Sequence, residues 1–318
     1  MKLYQYLIDD ERAVVAEDEG ERFIVAGAAS TLALIARAGA SAETLVNVVR
    51  RATKRPLPEG PLEGPIIPLE PPEVWGYGVT YRTSATGREG ETGAGRTSGL
   101  AAGRTSGLAA GRTSGLAAGR TSGLAAGAGG DIYARAHLGP RPETFFKATA
   151  ARCVGPGEEI GIRGDASLTA VEPELAYVVG LGGVIVAYTL GNDVSAWALE
   201  RENPLYLPQS KIYTACCALG PCLVTADDVD AANVELAMTI TRGGAVVFQG
   251  RANTSQIRHP LAYLHEYLTR YNPLPPGSVA LTGTGVMPPP GFTLEDGDEV
   301  VIEAAPFGRL VNRARILT

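Results

Sequence analysis

The 318-residue sequence predicts a mixed β structure preceded by a small α+β module. Three observations carry this. From residue 140 onward, short β-branched and apolar runs recur between Gly- and Pro-rich stretches. Two pairs of runs, Leu175–Gly180 with Val184–Thr189 and Val234–Arg242 with Ala245–Ala252, are split by LGG and by GG, as antiparallel hairpins are. Helical periodicity in this part is confined to His259–Tyr271, where Leu261, Leu264 and Leu268 share a face.

Composition bounds the reading. With 45% apolar residues the chain can bury a sizeable core, as one large domain or one plus a small one. A net charge of −6 argues against a nucleic-acid partner. No window reaches the length of a membrane span, and the polar opening MKLYQYLIDDER is unlike a signal peptide, so a cytoplasmic protein without a membrane partner is expected. Cys153, Cys216, Cys217 and Cys222 match no metal-ligand spacing and read as reduced, mostly buried thiols.

In chain order, strands are expected at Leu3–Ile8, Ala13–Ala16 and Arg22–Val25, followed by helices at Thr31–Ala38 and Ala42–Arg51 with Ser30 and Ser41 as N-caps. Residues 1–65 thus form the N-terminal module, read as a packing or oligomerisation unit. The Pro-rich stretch at 66–74 is a linker, and residues 75–318 form the main domain. Trp75–Tyr81 is an aromatic, β-branched strand. The octapeptide GRTSGLAA then occurs four times in tandem between Gly95 and Ala126. A period of eight rotates the leucines by roughly 80° per repeat around a helix, so they build no stripe, and two glycines per repeat weaken a helix further. Residues 93–130 are therefore expected to be a flexible insertion. Further on, Val279–Val286 is a strand ending in a Gly-Thr-Gly turn whose N–H groups suit a carboxylate. Leu294–Ile302 and Leu310–Leu317 close the chain as strands. His265, on the one periodic helix, reads as a packing residue.

The chemistry concentrates in VEPELAYVVGLGGVIVAYTLGND. Glu172 and Glu174 leave the same face of a strand. A turn near Gly182 brings Asp193 beside the Glu172 end of the partner strand. Three carboxylates in an apolar setting repel one another unless a cation joins them, and an all-oxygen set without His or Cys favours Mg²⁺ or Mn²⁺ over Zn²⁺. A Glu-x-Glu pair also fits the solvated face of an edge strand, where Pro173, lacking an N–H, would be at home. On the motif alone both readings stand. Lys147 ends the apolar run after Phe145 and Phe146, with Glu143 four residues earlier as a candidate proton donor. Lys211 falls in a loop or strand start between Pro208 and the Cys-rich strand.

The runs RPETFFKAT, VEPELAYVVG, YTLGNDVSA, ENPLYLPQSKIY and LTGTGV, with their spacing, resemble the fumarylacetoacetate hydrolase superfamily and within it the sugar-acid dehydratases. The resemblance implies a mixed β-roll and assembly as a homodimer or homotetramer. It implies Glu172, Glu174 and Asp193 as ligands of Mg²⁺, and Lys211, Lys147 and Glu143 as active-site groups. Thr284, with Gly283 beside it, would help hold the substrate's acid group. The implied reaction is dehydration of a 2-keto-3-deoxy sugar acid, such as a 2-keto-3-deoxypentonate, to 2,5-dioxopentanoate through a metal-bound enolate. Lys211, its pKa lowered by metal and burial, would take the C3 proton, and Glu143, kept protonated by a desolvated setting, would donate to the 4-hydroxyl. Lys147 would pair with a carboxylate or with substrate.

Two departures from the family pattern are visible. Ser84 or a neighbour stands where hydrolase members carry a His, which disfavours acylpyruvate hydrolysis. Trp197 and Ala198 replace an Arg-Asp pair, removing a cation near the site. The repeat falls where the family keeps a mobile lid. Acylpyruvate hydrolysis, oxaloacetate decarboxylation and keto–enol isomerisation remain alternatives on the same site, as does an inactive binding or scaffold protein.

Overall fold

The computed structural model describes residues 1–38, 44–84 and 132–318. The tandem repeat, and the expected N-cap Ser41, lie outside them. Sixteen strands are described. They are β1 (Lys2–Ile8), β2 (Glu11–Asp18), β3 (Glu21–Val25), β4 (Lys54–Arg55), β5 (Val74–Gly78), β6 (Glu143–Ala148), β7 (Cys153–Val154) and β8 (Glu159–Arg163), then β9 (Pro173–Val179), β10 (Ile185–Asp193), β11 (Cys217–Thr225), β12 (Glu235–Arg242), β13 (Ala245–Asn253), β14 (Val279–Leu281), β15 (Glu299–Ala304) and β16 (Gly308–Leu317).

They form two mixed sheets. The larger runs β4-β3-β2-β1-β11-β10-β9-β14-β5-β6, with β7 added to β11, and the smaller runs β13-β12-β15-β16-β8. Most neighbours are antiparallel, while β5 with β14, β7 with β11, and β8 with β16 are parallel. The first strands are continuous with the large sheet, because Lys2 and Leu3 of β1 pair with Val224 and Leu223 of β11.

Strand β9 shows how the layers form. Leu175, Tyr177 and Val179 point into one core with Leu236, Met238, Ile240 and Ile302 of the smaller sheet. Ala176 and Val178 point into a second core with Leu34, Ile35, Val48 and Val49 of the N-terminal helices. Both faces of β9 are therefore covered, and the strand reads as a continuous apolar run rather than an alternating one. It sits between β10 and β14. The edge-strand reading of Glu-x-Glu is overturned: Pro173 is tolerated because it is the first residue of the strand, not because the strand is an edge.

Several expected elements are shorter than the sequence suggested. The first helix covers Thr31–Ile35, with Ser30 capping the Ala33 N–H, and the second covers Leu45–Arg50, capped by Thr44. The strand expected at Trp75–Tyr81 ends at Gly78, since Val79 has φ +52° and Tyr81 makes only an isolated bridge to Ile257. The strand expected to reach Val286 stops at Leu281, because Gly283 turns the chain with φ +90°. That expected from Leu294 begins at Glu299, after a turn with Gly297 at φ +82°. The helix Leu261–Thr269 buries Leu264 and Leu268 as expected. His265 is the packing residue foreseen, its ring bridging the Gly183 carbonyl (2.6 Å) and the Tyr177 hydroxyl (3.2 Å). All four cysteines are free thiols. Among the described residues no helix is long and apolar enough to cross a membrane.

Candidate active site

The β9–β10 hairpin builds the centre of the site. Asn192 pairs with Pro173 and Gly191 with Glu174, and the Asp193 N–H donates to the Glu172 carbonyl at 3.0 Å. The register anticipated from a turn near Gly182 holds, despite a bulge between Ile185 and Ala187. Glu172 and Glu174 share the strand face of Ala176 and Val178, the face turned to the N-terminal helices. Oxygens of Glu172, Glu174 and Asp193 lie within 4.8 Å of one another, and all three residues are buried.

Two ammonium groups stand against these carboxylates. Lys147, on β6, is fully buried and contacts Asp193 Oδ1 at 2.6 Å, donating also to the carbonyls of Val194 (2.8 Å) and Lys211 (2.7 Å). Its three N–H donors are thereby accounted for. Lys211 Nζ reaches Asp193 Oδ2 at 2.6 Å, Ser195 Oγ at 2.7 Å and both Glu172 oxygens at 3.2 and 3.3 Å. It also lies 5.0 Å from the centre of the Phe145 ring. Lys211 is not in a loop or strand start as the sequence suggested. It ends a short helix, Leu207–Lys211, whose first turn carries Pro208 and which packs against a second short helix, Trp197–Glu202.

The charges set the protonation states. Burial is the largest single influence and acts to lower the Lys147 ammonium, but Asp193 and smaller contributions from Cys216 and Cys217 together leave the group above its ordinary value. Lys211 behaves alike: burial lowers it, while Asp193, Glu172 and Glu200 raise it further than burial lowers it. Burial on its own does not depress Lys211, because its carboxylate partners together outweigh it; the lowering expected from the sequence is that of metal and burial together. Burial would raise Asp193, yet the two lysines hold it below the usual carboxylate range. Glu174 is pushed well above that range, by burial first and then by Asp193 and Glu172. Three carboxylates against two ammonium groups leave one negative charge over, and the excess falls on Glu174.

That imbalance tests the fit of a metal. The donor set is all oxygen, closely grouped, buried and one charge short of balance, which suits a hard divalent cation such as Mg²⁺. The Gly-Thr-Gly turn does receive a carboxylate, but it is the protein's own: the Gly283 N–H donates to Glu174 Oε2.

Around this centre, Gly78, Ser84, Glu143, Phe145, Glu172, Glu200, Lys211 and Thr284 line one pocket. Glu143 begins β6 opposite Gly78 of β5, and it is half-buried rather than fully desolvated. Thr284 is buried, its Oγ1 accepting from the Val286 N–H at 3.2 Å. Ser84 Oγ donates to the Tyr81 carbonyl at 2.7 Å, which ties this hydroxyl to the backbone. Two contributors were not foreseen. Glu200 is buried in the pocket wall and accepts from Ser210 Oγ at 3.4 Å. Trp197 donates its indole N–H to Glu172 Oε1 at 2.7 Å. The position expected to lose a cation instead carries a neutral donor, with the Arg201 guanidinium 5.4 Å from the indole ring. Only the unusual residues in place of Arg-Asp hinted at this.

A buried, all-oxygen carboxylate triad at the end of the central hairpin is suited to holding a metal ion for Lewis-acid chemistry. The chain belongs to the fumarylacetoacetate (FAA) hydrolase C-terminal family, whose model matches residues 123–315. It is 39% identical over 247 residues to a probable 2-keto-3-deoxyxylonate dehydratase of Haloferax volcanii, covering 77% of this chain and 73% of that one. It is 40% identical over 245 residues to 2-dehydro-3-deoxy-D-arabinonate dehydratase of Saccharolobus solfataricus, covering 77% and 72%. A solved structure of 2-keto-3-deoxy-D-arabinonate dehydratase complexed with magnesium and 2,5-dioxopentanoate matches with a TM-score of 0.77 at 30% identity, covering 100% of this chain and 99% of that chain.

Proposed function

We propose that the protein is a Mg²⁺-dependent hydro-lyase that converts a 2-keto-3-deoxypentonate to 2,5-dioxopentanoate. The observation that carries this is the buried triad of Glu172, Glu174 and Asp193, with Lys211 at its edge and Glu143 in the same pocket. The named activities of the relatives and the product bound in the matching structure point to the same substrate class.

Glu172, Glu174 and Asp193 would hold a Mg²⁺ ion, which would supply Lewis acidity toward the 2-keto acid, and a positive charge there would favour the neutral amine of Lys211. Lys211 then takes a proton from C3. Glu143, across the pocket, gives one to the 4-hydroxyl, which leaves as water. Transfer of a proton from C5 back to C3 turns the resulting enone into an enol, and a proton gained at C4 as the C5 hydroxyl loses one completes the aldehyde. Lys147, with every donor occupied inside the protein, holds Asp193 in place and moves no proton. Thr284 and the turn around Gly283 stand where the substrate's acid end would be held. The same reading takes residues 1–65 as a small α+β module, 66–74 as a linker and 75–318 as a catalytic β-roll. It also takes the protein as cytoplasmic, and as a homodimer or homotetramer, the assembly that the family resemblance implies.

The test is turnover of racemic 2-keto-3-deoxypentonate with Mg²⁺, coupled to an NADP-dependent semialdehyde dehydrogenase. NADPH formation that EDTA abolishes and that Glu172→Ala lacks is the expected result. No turnover, while pyruvate still binds in the presence of Mg²⁺, would overturn the dehydratase reading.

A further inference from the structure

Glu172 differs from the other two carboxylates in how it is held. Asp193 is fixed by two ammonium groups and Glu174 by the Gly283 N–H. Glu172 shares Lys211 with Asp193, and its Oε1 also receives the indole N–H of Trp197 at 2.7 Å. The placement is built by the backbone. The Ala170 and Ser195 N–H groups donate to each other's carbonyls at 2.9 Å, and the helix Trp197–Glu202 starts two residues later. The indole is thus delivered across to the ligand from 25 positions away. The side chain is buried, so its N–H has no bulk water to turn to.

We propose that Trp197 is a positioning residue for Glu172. Its N–H engages Oε1 and fixes the rotation of the carboxylate that would hold a divalent cation. Because the indole is neutral, it orients the ligand without the repulsion toward a cation that a charged donor would bring. This inference rests on the metal-site reading above.

The chain has two tryptophans, which makes the test direct. Trp75, the other one, donates to Glu73 and packs edge-on against Phe146, and is absent from the pocket lining. The first measurement is Mg²⁺ binding by isothermal titration calorimetry to the unaltered protein, to Trp197→Phe and to Glu172→Ala. Phe keeps most of the buried ring and removes only the donor. A Kd weakened on the order of 10- to 100-fold in Trp197→Phe, with its unfolding midpoint in EDTA close to the parent's, is expected. A ring that merely fills space would leave the Kd unchanged, and that result would overturn the proposal alone. The second measurement alters nothing at position 197. In Trp75→Phe the emission comes from Trp197, and it should shift on Mg²⁺ addition with the calorimetric Kd. Calorimetric binding with silent emission overturns the proposal even if Trp197→Phe does not fold. No Mg²⁺ binding by the unaltered protein overturns the metal reading and, with it, the assignment of Trp197.

Discussion

Lys147 is the residue on which the site's electrostatics turn. Its ammonium is buried, contacts Asp193 at 2.6 Å and satisfies two backbone carbonyls. Removing one partner of a buried pair leaves the other charge uncompensated, which costs more than the pair itself contributes. Lys147→Met, which nearly conserves volume, is therefore expected to lower stability by roughly 3–5 kcal/mol in urea unfolding without Mg²⁺. A loss below about 1 kcal/mol would mean that Asp193 finds other compensation. That Lys147 needs a partner if buried was legible in the sequence, since it ends an apolar run. Its three acceptors were not, because Val194 and Lys211 approach it only through tertiary packing.

At the scale of elements, the facing strands β5 and β6 set where the proposed proton donor stands. Gly78 of β5 pairs with Glu143 of β6, and a Cβ on Gly78 would overlap Glu143 Oε2. The obstructing atom is the end of a flexible side chain, so Gly78→Ala should displace the carboxylate without breaking the strand. The expected outcome is a turnover rate lowered on the order of 10²-fold, with Mg²⁺ affinity within about twofold of the parent. Unchanged turnover would remove Glu143 from the chemistry. The long strands and the hairpin register were legible because apolar runs and glycine turns specify them locally. The helices Trp197–Glu202 and Leu207–Lys211 were not, since five or six residues are too few to show a 3.6-residue period. Nor was the interior position of β9, which depends on β14 arriving about a hundred residues later.

For the whole molecule, the charge imbalance links stability to pH. Glu174 has a folded pKa above its unfolded one, so the folded state keeps a proton that the unfolded chain releases as pH rises past its ordinary value. Stability is therefore lost with rising pH over that window. Asp193, held low, contributes stability that disappears only when pH falls below the usual Asp value. The raised lysines contribute stability that disappears only above the usual Lys value. Between about pH 5 and 8, Glu174 is the member of this group whose balance changes. The unfolding temperature in EDTA should fall across that range, and Mg²⁺ should raise it more at the upper end than at the lower. A flat metal-free profile would remove Glu174 as the bearer of the excess charge. The sequence announced three carboxylates and a cation. Which carboxylate carries the imbalance depends on where both lysines end up, and only the assembled sheet determines that.

The scarcity of lysine has a practical consequence for labelling. The sequence holds four, Lys2, Lys54, Lys147 and Lys211. Two are sequestered among the carboxylates, and the side chains of Lys2 and Lys54 are 31% and 42% exposed on β1 and β4. Dyes, cross-linkers or resins that react with primary amines will therefore attach through the strands at the start of the chain and spare the pocket. Acylation of Lys147 or Lys211, read by peptide mass, becomes a footprint of molecules that have come apart.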